Sequence, residues 1–448
     1  MSPQRRICKI IWKIWWNDIF FVLLHCNTFR SQNLISINII LMRHIVLLSL
    51  LLFMSATLCG CREESVERDP LAQRTVIVYM SAENNLSSFS RDDLRELTDG
   101  SKELNGRQRL VAFVDDASVS TPAIIELKGG KRDTLKLFEH DFYASAPDKF
   151  REIIQFIENE CPARSYGLVL WGHAKGWIIE NDSIESATSR PRKAFGVDNG
   201  SNLEVGFSFG NRWMNITQMA RALDGLPRFR FIFADCCCMM CVETAYELRH
   251  VTDYLLGSPA EIPGNGAPYH KIAPLFFSES DDFYKAIIDT YYDDYMGRVD
   301  YPGCSVPLSV VDMSHIEELA QATRTVLRAP SEYDTEKIAY YFQYKNDVPV
   351  MYDMCSLMER NLAENDYHAW KRVLDMAVPY RRFSEKWMTD TTSFDIYKGF
   401  GVSIFNQDNY GGLSMFVEKP EYNFSRHDFN RDICKTSWYW AVGWNRFQ

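Results

Sequence analysis

A histidine and a cluster of cysteines each follow an apolar run of the chain. His173 lies in Trp-Gly-His-Ala-Lys-Gly-Trp, directly after the run 166–171, and four cysteines lie within 236–241, after the run 229–234. A thiolate can attack a peptide carbonyl when a nearby imidazole takes up the thiol proton and later protonates the leaving amine. These residue types therefore favour nucleophilic hydrolysis by a cysteine and a histidine.

The elements that must position these residues alternate between short apolar runs and segments with helical period. The runs are 75–80, 109–114, 166–171, 229–234, 251–258 and 306–312. Strands separated by helices predict an α/β fold with a mostly parallel sheet covered by helices on both faces. Ligands of such sheets bind beyond the carboxyl ends of the strands, so His173 and the cysteine cluster are expected at one edge.

The choice among the clustered cysteines rests first on strand alternation. Alternation places Asp235 and Cys237 on one face and Cys236 and Cys238 on the other, although the strand is ending there. A helix follows the cluster, and a helix N-terminus lowers the pKa of a nearby thiol. For Cys236, Cys238 and Cys241 the alternative interpretation is that they are small buried hydrophobic residues.

Several motifs together resemble the clostripain family of cysteine peptidases. They are the Trp-Gly-His-x-x-Gly-Trp segment, Asp-x-Cys-x-Met followed by Val-Glu-x-Ala-Tyr-Glu-Leu, and the segments 79–86 and 263–269. The resemblance covers about residues 75–448 and is densest from 75 to 270. It implies a caspase-like α/β/α sandwich with a mostly parallel central sheet, followed by a smaller C-terminal α+β region.

The resemblance also implies roles for individual residues. His173 corresponds to the catalytic histidine, Cys237 to the nucleophile, and Asp235 to the floor of an S1 pocket that pairs with a basic P1 side chain. The backbone N–H groups of Ala174 and Cys237 form the oxyanion hole. The family usually has glycine at the Ala174 position, so strain is expected there if the loop needs a positive φ. Glu261 is the second candidate for the acid of S1.

The implied function is a cysteine endopeptidase that cleaves after Arg, with Lys as a second candidate. The alternative is a catalytically weak or inactive surface lipoprotein that binds peptides or a protein partner through the same pocket. The net charge of −10 argues against a nucleic-acid partner, so the expected partners are protein or peptide substrates with basic P1 residues. We expect no required cofactor. The resemblance leaves calcium possible, because some members of the family need it, but calcium is not indicated, since the chain has no EF-hand-type loop.

Two other chemical interpretations of the sequence are weaker. The Cys238-x-x-Cys241 pair could be a metal or redox site with His250, but zinc sites generally need four ligands, and no metal ligand is assigned. The Gly-x-Ser-x-Gly pattern at 206–210 matches a serine-hydrolase elbow, which must lie between a strand and a helix. It follows the polar stretch 198–202 instead, so this match is interpreted as accidental.

The front of the chain differs in character from the remainder. Residues 1–60 hold six Lys/Arg and one acidic residue, so they carry +5 and residues 61–448 carry −15. A basic start, an apolar run at 45–54 and Leu-Cys-Gly-Cys predict a lipoprotein signal peptide over 42–60, with Cys61 acylated as the first mature residue. A polar tether follows over 61–74.

Residues 1–41 do not fit a signal peptide and are interpreted as a misassigned N-terminal extension; the competing interpretation is a membrane anchor over 10–24. The predicted location is the bacterial cell envelope, lipid-anchored, in the outer membrane at its periplasmic face or the cell surface. Because Arg62 is not the Asp that signals inner-membrane retention in some bacteria, the outer membrane is favoured.

The remainder is divided into two parts, with a site of self-cleavage in the first. Residues 75–328 are predicted to form the peptidase domain, and 329–448 a smaller subdomain packed on it, with helices over about 334–364 and 366–377 and a strand over 399–405.

A polar segment between His173 and the fourth strand ends in Ser-Arg-Pro-Arg-Lys-Ala. Exposed segments of this kind are readily cut, and Arg192 and Lys193 are the candidate positions for self-cleavage.

Overall fold

The computed structural model describes most of the chain from residue 71 onward. The described residues are 71–179, 195–200, 202, 212–299, 305–336, 338–344, 348–384, 387, 410–422 and 428–447. The predicted signal peptide, Cys61, the tether up to residue 70, Arg192, Lys193, the 206–210 motif and the 399–405 strand lie outside them. The end of the predicted tether is wrong: Arg74 is the first residue of a strand, and the Gln73 N–H donates to the Arg107 carbonyl at 2.8 Å. Residues 70–448 form one compact unit. In the described ranges no helix has the length and apolar character required to cross a bilayer.

The strands alternate with helices through the first two-thirds of the unit. The described strands are β1 (Arg74–Ala82), β2 (Gln108–Asp116), β3 (Ala123–Lys128), β4 (Lys131–Leu137), β5 (Tyr166–Trp171), β6 (Phe195–Asp198), β7 (Arg212–Met214), β8 (Phe229–Asp235), β9 (Thr252–Gly257), β10 (Leu308–Asp312), β11 (Tyr340–Tyr344), β12 (Val348–Asp353), β13 (Tyr380–Arg382) and β14 (Ser414–Met415).

The helices connect these strands and cover the sheet. The described α-helices are α1 (Ser87–Gly100), α2 (Pro147–Glu160), α3 (Ile216–Leu223), α4 (Val242–Leu248), α5 (Tyr269–Ile272), α6 (Phe283–Met296), α7 (Ile316–Val326), α8 (Met354–Asn361), α9 (Glu364–Ala377), α10 (Phe429–Ile433) and α11 (Ser437–Val442).

One nine-stranded sheet forms the centre, in the order β13-β10-β9-β8-β5-β1-β2-β3-β4. The five inner strands from β9 to β2 are parallel, and antiparallel strands extend both edges. The predicted α/β/α architecture with a mostly parallel sheet is therefore confirmed. The carboxyl ends of β1, β2, β5, β8 and β9 lie along the same edge, as parallel pairing requires.

The inner strands are apolar on both faces because each face packs against helices. Ile77 and Tyr79 of β1 point into a core that includes α2, α3 and α4, whereas Val76 and Val78 point into a core that includes α1, α5 and α6. All four side chains are fully buried. Continuous apolar runs of this kind are typical of parallel strands buried on both sides.

Two hairpins depart from the predicted elements. The predicted helix over 334–364 is wrong for its first half: β11 and β12 form an antiparallel hairpin, and only α8 is helical. The residues of β11 and β12 are rich in Tyr, Phe and Val, which favour strands when half buried. The β3–β4 hairpin was not predicted; its turn is Gly129-Gly130, both with positive φ, as a two-residue hairpin turn requires.

The C-terminal region contributes strands to two places. β13 pairs with β10 and so extends the central sheet, while β14 belongs to a three-stranded sheet with β11 and β12. The Ser414 N–H donates to the Met240 carbonyl (3.0 Å), and the Phe416 N–H donates to Glu243 Oε1 (2.8 Å). The C-terminal region therefore hydrogen-bonds to the segment that follows β8.

Candidate active site

The register of β5 and β8 brings the histidine and cysteine loops to one place. The two strands are parallel, and Trp171 is paired with Asp235 at their carboxyl ends. His173 lies two residues after Trp171, and Cys237 lies two residues after Asp235. The structure therefore places both predicted residues at the same edge of two hydrogen-bonded strands.

His173 is half buried and is oriented by a residue of the loop after β1. Its Nε2 lies 2.7 Å from Asn85 Oδ1. Because a carbonyl oxygen only accepts hydrogen bonds, Nε2 carries the hydrogen of the neutral imidazole. Nδ1 then holds the lone pair that a general base requires.

Cys237 is the one half-buried thiol of the 236–241 cluster. The N–H of Ile262 donates to its Sγ at 3.4 Å, and the same sulfur lies 3.9 Å from the Ile262 carbonyl oxygen. A backbone N–H directed at sulfur favours the thiolate, because hydrogen bonds to the charged form stabilise it. Cys237 thus has both the exposure and the hydrogen bonding that a nucleophile needs.

The other three cysteines of the cluster are fully buried. Burial raises the pKa of Cys236 and Cys238 well above that of an ordinary thiol, and raises the pKa of Cys241 to about 12. A thiol that resists ionisation is a slow nucleophile. Full burial and a raised pKa favour the interpretation of all three as small hydrophobic residues over a nucleophilic role.

The chain turns sharply after Asp235, where β8 ends. Cys238 has φ +59°, and in the described ranges no other non-glycine residue has a positive φ. The alternation predicted for residues 236–238 is therefore wrong, because these residues are no longer in a strand. A left-handed Cys238 costs about 1–2 kcal/mol relative to an extended residue, so surrounding contacts must impose this turn beside the candidate nucleophile.

Ala174 does not adopt the strained conformation that its departure from glycine led us to expect. Its φ is not positive, and its side chain is buried. Phe195 forms an antiparallel bridge with Ala174, and the Gly196 N–H donates to the His173 carbonyl at 2.8 Å. The loop of His173 is thereby held by the segment that begins at Phe195.

Asp235 lies on the side of the sheet that α5 and α6 cover. Its Oδ2 accepts hydrogen bonds from the Ala267 N–H (2.9 Å) and the Tyr269 hydroxyl (2.8 Å), and its Oδ1 accepts from the Tyr291 hydroxyl (3.0 Å). Burial raises the pKa of Asp235, whereas these three bonds lower it. A basic P1 group would therefore meet a carboxyl group that is already coordinated by neutral donors.

A second buried carboxyl group, which the sequence did not single out, lies beside Asp235. A Cβ atom at Gly266, whose φ is +57°, would lie 2.8 Å from Asp235 Oδ2 and 2.9 Å from Asp93 Oδ2. Asp93 Oδ2 accepts from Trp171 Nε1 at 2.7 Å. Burial, and next the charge of Asp235, raise the pKa of Asp93 to about 9. The pair therefore carries less negative charge than two independent carboxylates.

Glu261 lies on the segment that contacts the thiol. Its carboxyl-bearing side chain is buried, and its two neighbours bond to the cysteine loop: the Ala260 carbonyl accepts from the Cys238 N–H at 2.8 Å, and the Ile262 N–H reaches Cys237. Asp235 and Glu261 thus approach the cysteine loop from different segments. Both remain candidates for the acid of S1.

The loops after β5 and β8 thus bring an oriented imidazole and a half-buried thiol to one edge of the sheet, as a cysteine peptidase of α/β fold requires. A family model described as the clostripain family matches residues 78–447, and the chain belongs to this family. It is accordingly a cysteine peptidase, and therefore a hydrolase, whose substrates are peptides or proteins. No match is found among curated proteins.

Solved structures agree with this assignment. A secreted C11 cysteine protease from Bacteroides thetaiotaomicron, in complex with an irreversible peptide inhibitor, is 27% identical (TM-score 0.69), covering 84% of this chain and 100% of that one. An inactive zymogen C11 protease from Parabacteroides distasonis is 26% identical (TM-score 0.67; 83% and 98%). A second secreted B. thetaiotaomicron C11 protease, at 22% identity and TM-score 0.67 (83% and 99%), agrees in fold.

Proposed function

We propose that this protein is an endopeptidase that hydrolyses peptide bonds after Arg, with Lys as a second candidate, through a Cys237–His173 dyad. The observation that carries the proposal is the pairing of β5 and β8, which ends with Trp171 opposite Asp235 and so presents both catalytic candidates at one edge. The hydrogen bond from the Ile262 N–H to Cys237 Sγ adds chemical support.

The proposed reaction uses each group in turn. His173 Nδ1 accepts the thiol proton, and the Cys237 sulfur attacks the scissile carbonyl carbon. The backbone N–H groups of Ala174 and Cys237 stabilise the oxyanion of the tetrahedral intermediate. The imidazolium then protonates the leaving amine as the C–N bond breaks, and water activated by the same imidazole hydrolyses the acyl-enzyme.

Specificity for a basic P1 side chain is supported by the acids around the cysteine loop. Asp235 and Glu261 are both buried, and Asp93 lies beside Asp235 across Gly266. A buried carboxylate pairs favourably with an entering guanidinium, which can donate two parallel hydrogen bonds.

Turnover of three peptide amides that differ only at P1, with Arg, Lys or Asp, tests this function. The purified protein is expected to cleave the Arg substrate, to cleave the Lys substrate more slowly or equally, and to leave the Asp substrate intact. Failure to cleave the Arg and Lys substrates, or equal cleavage of all three, would contradict the proposed specificity.

Self-cleavage after Lys193 is a further part of the proposal. The segment that starts two residues later is bonded to the histidine loop through Phe195 and Gly196. The relative from Parabacteroides distasonis is described as an inactive zymogen. Arg192 is the alternative position, while Arg190 is disfavoured because proline follows it.

Mass spectrometry of freshly purified protein checks this prediction. Wild type is expected to give two associated pieces that join at about Lys193, and Cys237→Ala is expected to remain a single chain. Because β5 and β8 pair within one sheet, the pieces should remain together without a covalent link. A single intact chain with full activity in the wild type would rule out self-cleavage as the activating step.

The location is proposed from the sequence of the leader, with Cys61 acylated and the protein anchored in the outer membrane. Metabolic labelling with an alkyne fatty acid is expected to mark the wild type and to leave Cys61→Ser unlabelled. Fractionation is expected to place the wild type with outer membranes and the variant in soluble material. A wild type that is soluble and unlabelled would contradict the lipid anchor.

A further inference from the structure

The loop that carries His173 and the loop that carries Cys237 contact each other through residues other than the imidazole and the thiol. Gly176 has φ +57°, and a Cβ atom at this position would lie 2.4 Å from the Cys238 carbonyl oxygen and 2.8 Å from Cys241 Sγ. Both distances are shorter than van der Waals contact, so any side chain would force the two loops apart. Glycine alone combines this positive φ with so close an approach of two backbones.

Cys241 adds hydrogen bonds to this contact. Its side chain is fully buried, and its S–H donates to Thr244 Oγ1 at 3.0 Å, in the first turn of α4. Burial raises the pKa of Cys241 to about 12, although the Trp177 N–H donates to the same sulfur and lowers it. A thiol that stays protonated donates to one residue and accepts from another. Cys241 therefore links the residue that follows Gly176 to the start of α4.

The cysteine loop is also bonded on two other sides. The N–H groups of Cys238 and Met240 donate to carbonyl groups of the 258–260 segment at 2.8 and 3.1 Å. The Met240 carbonyl accepts from the Ser414 N–H at 3.0 Å. Because these bonds hold this part of the cysteine loop, a group inserted at Gly176 would increase the separation of the two loops.

We infer that Gly176 and Cys241 are positioning residues that set the separation of His173 from Cys237. This inference rests on the proposed dyad and names the contact that holds it together. Gly176 lies three residues after His173, Cys241 lies four residues after Cys237, and neither supplies an atom to the proposed reaction. Proton transfer between thiol and imidazole requires hydrogen-bond distance, and a misplacement of about 1 Å costs on the order of a hundredfold in rate. A small change at this contact should therefore lower turnover while every reacting group is retained.

Gly176→Ala tests the inference through kinetics. The added methyl group should lower kcat for the P1-Arg amide by about ten- to a hundredfold, while KM stays within a few-fold of the wild type because the groups that bind substrate are unchanged. A substitution that only destabilised the fold would lower the thermal unfolding midpoint without this separation of kcat from KM.

Alkylation of Cys237 by iodoacetamide reports on the dyad without any substrate. The thiolate is the reacting form, and a nearby imidazolium stabilises it at a pH where an isolated thiol is protonated. The wild type is therefore expected to react at lower pH than His173→Ala. Gly176→Ala is expected to move the dependence of the alkylation rate on pH toward that of His173→Ala. Mass spectrometry of the peptide that contains Cys237 restricts the measurement to this thiol.

Cys241 provides a second pair of variants. Cys241→Val keeps a small apolar side chain but removes both hydrogen bonds, so kcat should fall by about tenfold with the same change in the alkylation profile. Cys241→Ser keeps a donor and an acceptor and should retain kcat within a few-fold of the wild type. If Gly176→Ala does not fold, these two variants decide the question.

Two control substitutions reproduce the backbone strain and the lost thiol at other places. Gly443, at the end of α11, also has a positive φ (+83°), and a Cβ atom there would lie 2.7 Å from Arg446 Nε. Cys355 on α8 is also a buried thiol, and its sulfur lies 3.2 Å from the Tyr367 hydroxyl. Gly443→Ala and Cys355→Val should lower the thermal unfolding midpoint and leave kcat and the alkylation profile unchanged.

The outcomes separate this inference from the proposed dyad. If Gly176→Ala and Cys241→Val change only the unfolding midpoint, as the controls should, the contact is merely structural and the inference is wrong. If His173→Ala has the alkylation profile of the wild type, the dyad itself fails and the inference fails with it. A change in His173→Ala that is absent from both positioning variants contradicts the positioning role and leaves the dyad intact.

Discussion

Replacing Cys237 with Ala is expected to lower the rate of hydrolysis by on the order of a thousandfold or more, because the covalent intermediate can no longer form. Fold stability should change little, since the side chain is half buried and the Ile262 N–H···S contact, at 3.4 Å, is weak. Initial rates on the P1-Arg amide, with circular dichroism to check folding, provide the measurement.

The neighbouring cysteines are the matched controls for this result. Cys236→Ala and Cys238→Ala each remove one buried sulfur and should lower the free energy of unfolding by about 1 kcal/mol while much of the activity remains. Alanine at position 238 retains a Cβ, so the left-handed backbone there is neither relieved nor worsened. Loss of activity in Cys236→Ala or Cys238→Ala, with Cys237→Ala still active, would show that another thiol is the nucleophile.

His173→Ala should lower the rate by about a hundred- to ten-thousandfold, the usual contribution of a general acid–base residue. The loss should be smaller for Asn85→Ala, because the Asn85 side chain orients the ring through Nε2 and transfers no proton itself. A His173→Ala variant with wild-type turnover would contradict the dyad.

Much of this site could be predicted from the apolar runs of the sequence that form the strands. The run at 166–171 is apolar, and the run at 229–234 is apolar except for Arg230 near its start. Such runs indicate strands buried on both faces, and parallel pairing then brings their polar ends together. β5 and β8 occur within one residue of these bounds. The placement of His173 and Cys237 at one edge of the sheet follows from this pairing.

The features that sequence did not reveal depend on contacts between distant segments. The turn that gives Cys238 a positive φ is imposed by bonds to residues 258–260, and no local signal for it exists in a run of three cysteines. The β3–β4 hairpin, by contrast, could have been predicted locally, because two consecutive glycines at 129–130 are typical of a two-residue hairpin turn.

The acid that selects a basic P1 residue is expected to be Asp235, and Asp235→Asn should reduce the ratio of Arg to uncharged P1 cleavage by about a hundred- to several-thousandfold. That range corresponds to the 3–5 kcal/mol lost when a buried pair loses one charge. The ratio must be measured, because absolute rates will also fall. Asn presents an NH₂ group where Asp235 accepts bonds from Tyr269 and Tyr291, which should destabilise the fold by about 1–3 kcal/mol.

Glu261→Gln is the variant that distinguishes the two acids. It leaves the bonds of Asp235 intact and removes a charge from the segment whose Ile262 contacts Cys237. If Asp235 is the specificity residue, Glu261→Gln should keep the Arg preference within a few-fold of the wild type. If the preference instead survives in Asp235→Asn and disappears in Glu261→Gln, the S1 acid is Glu261. The three donors around Asp235 would then have a structural role, holding a buried carboxyl group beneath the cysteine loop.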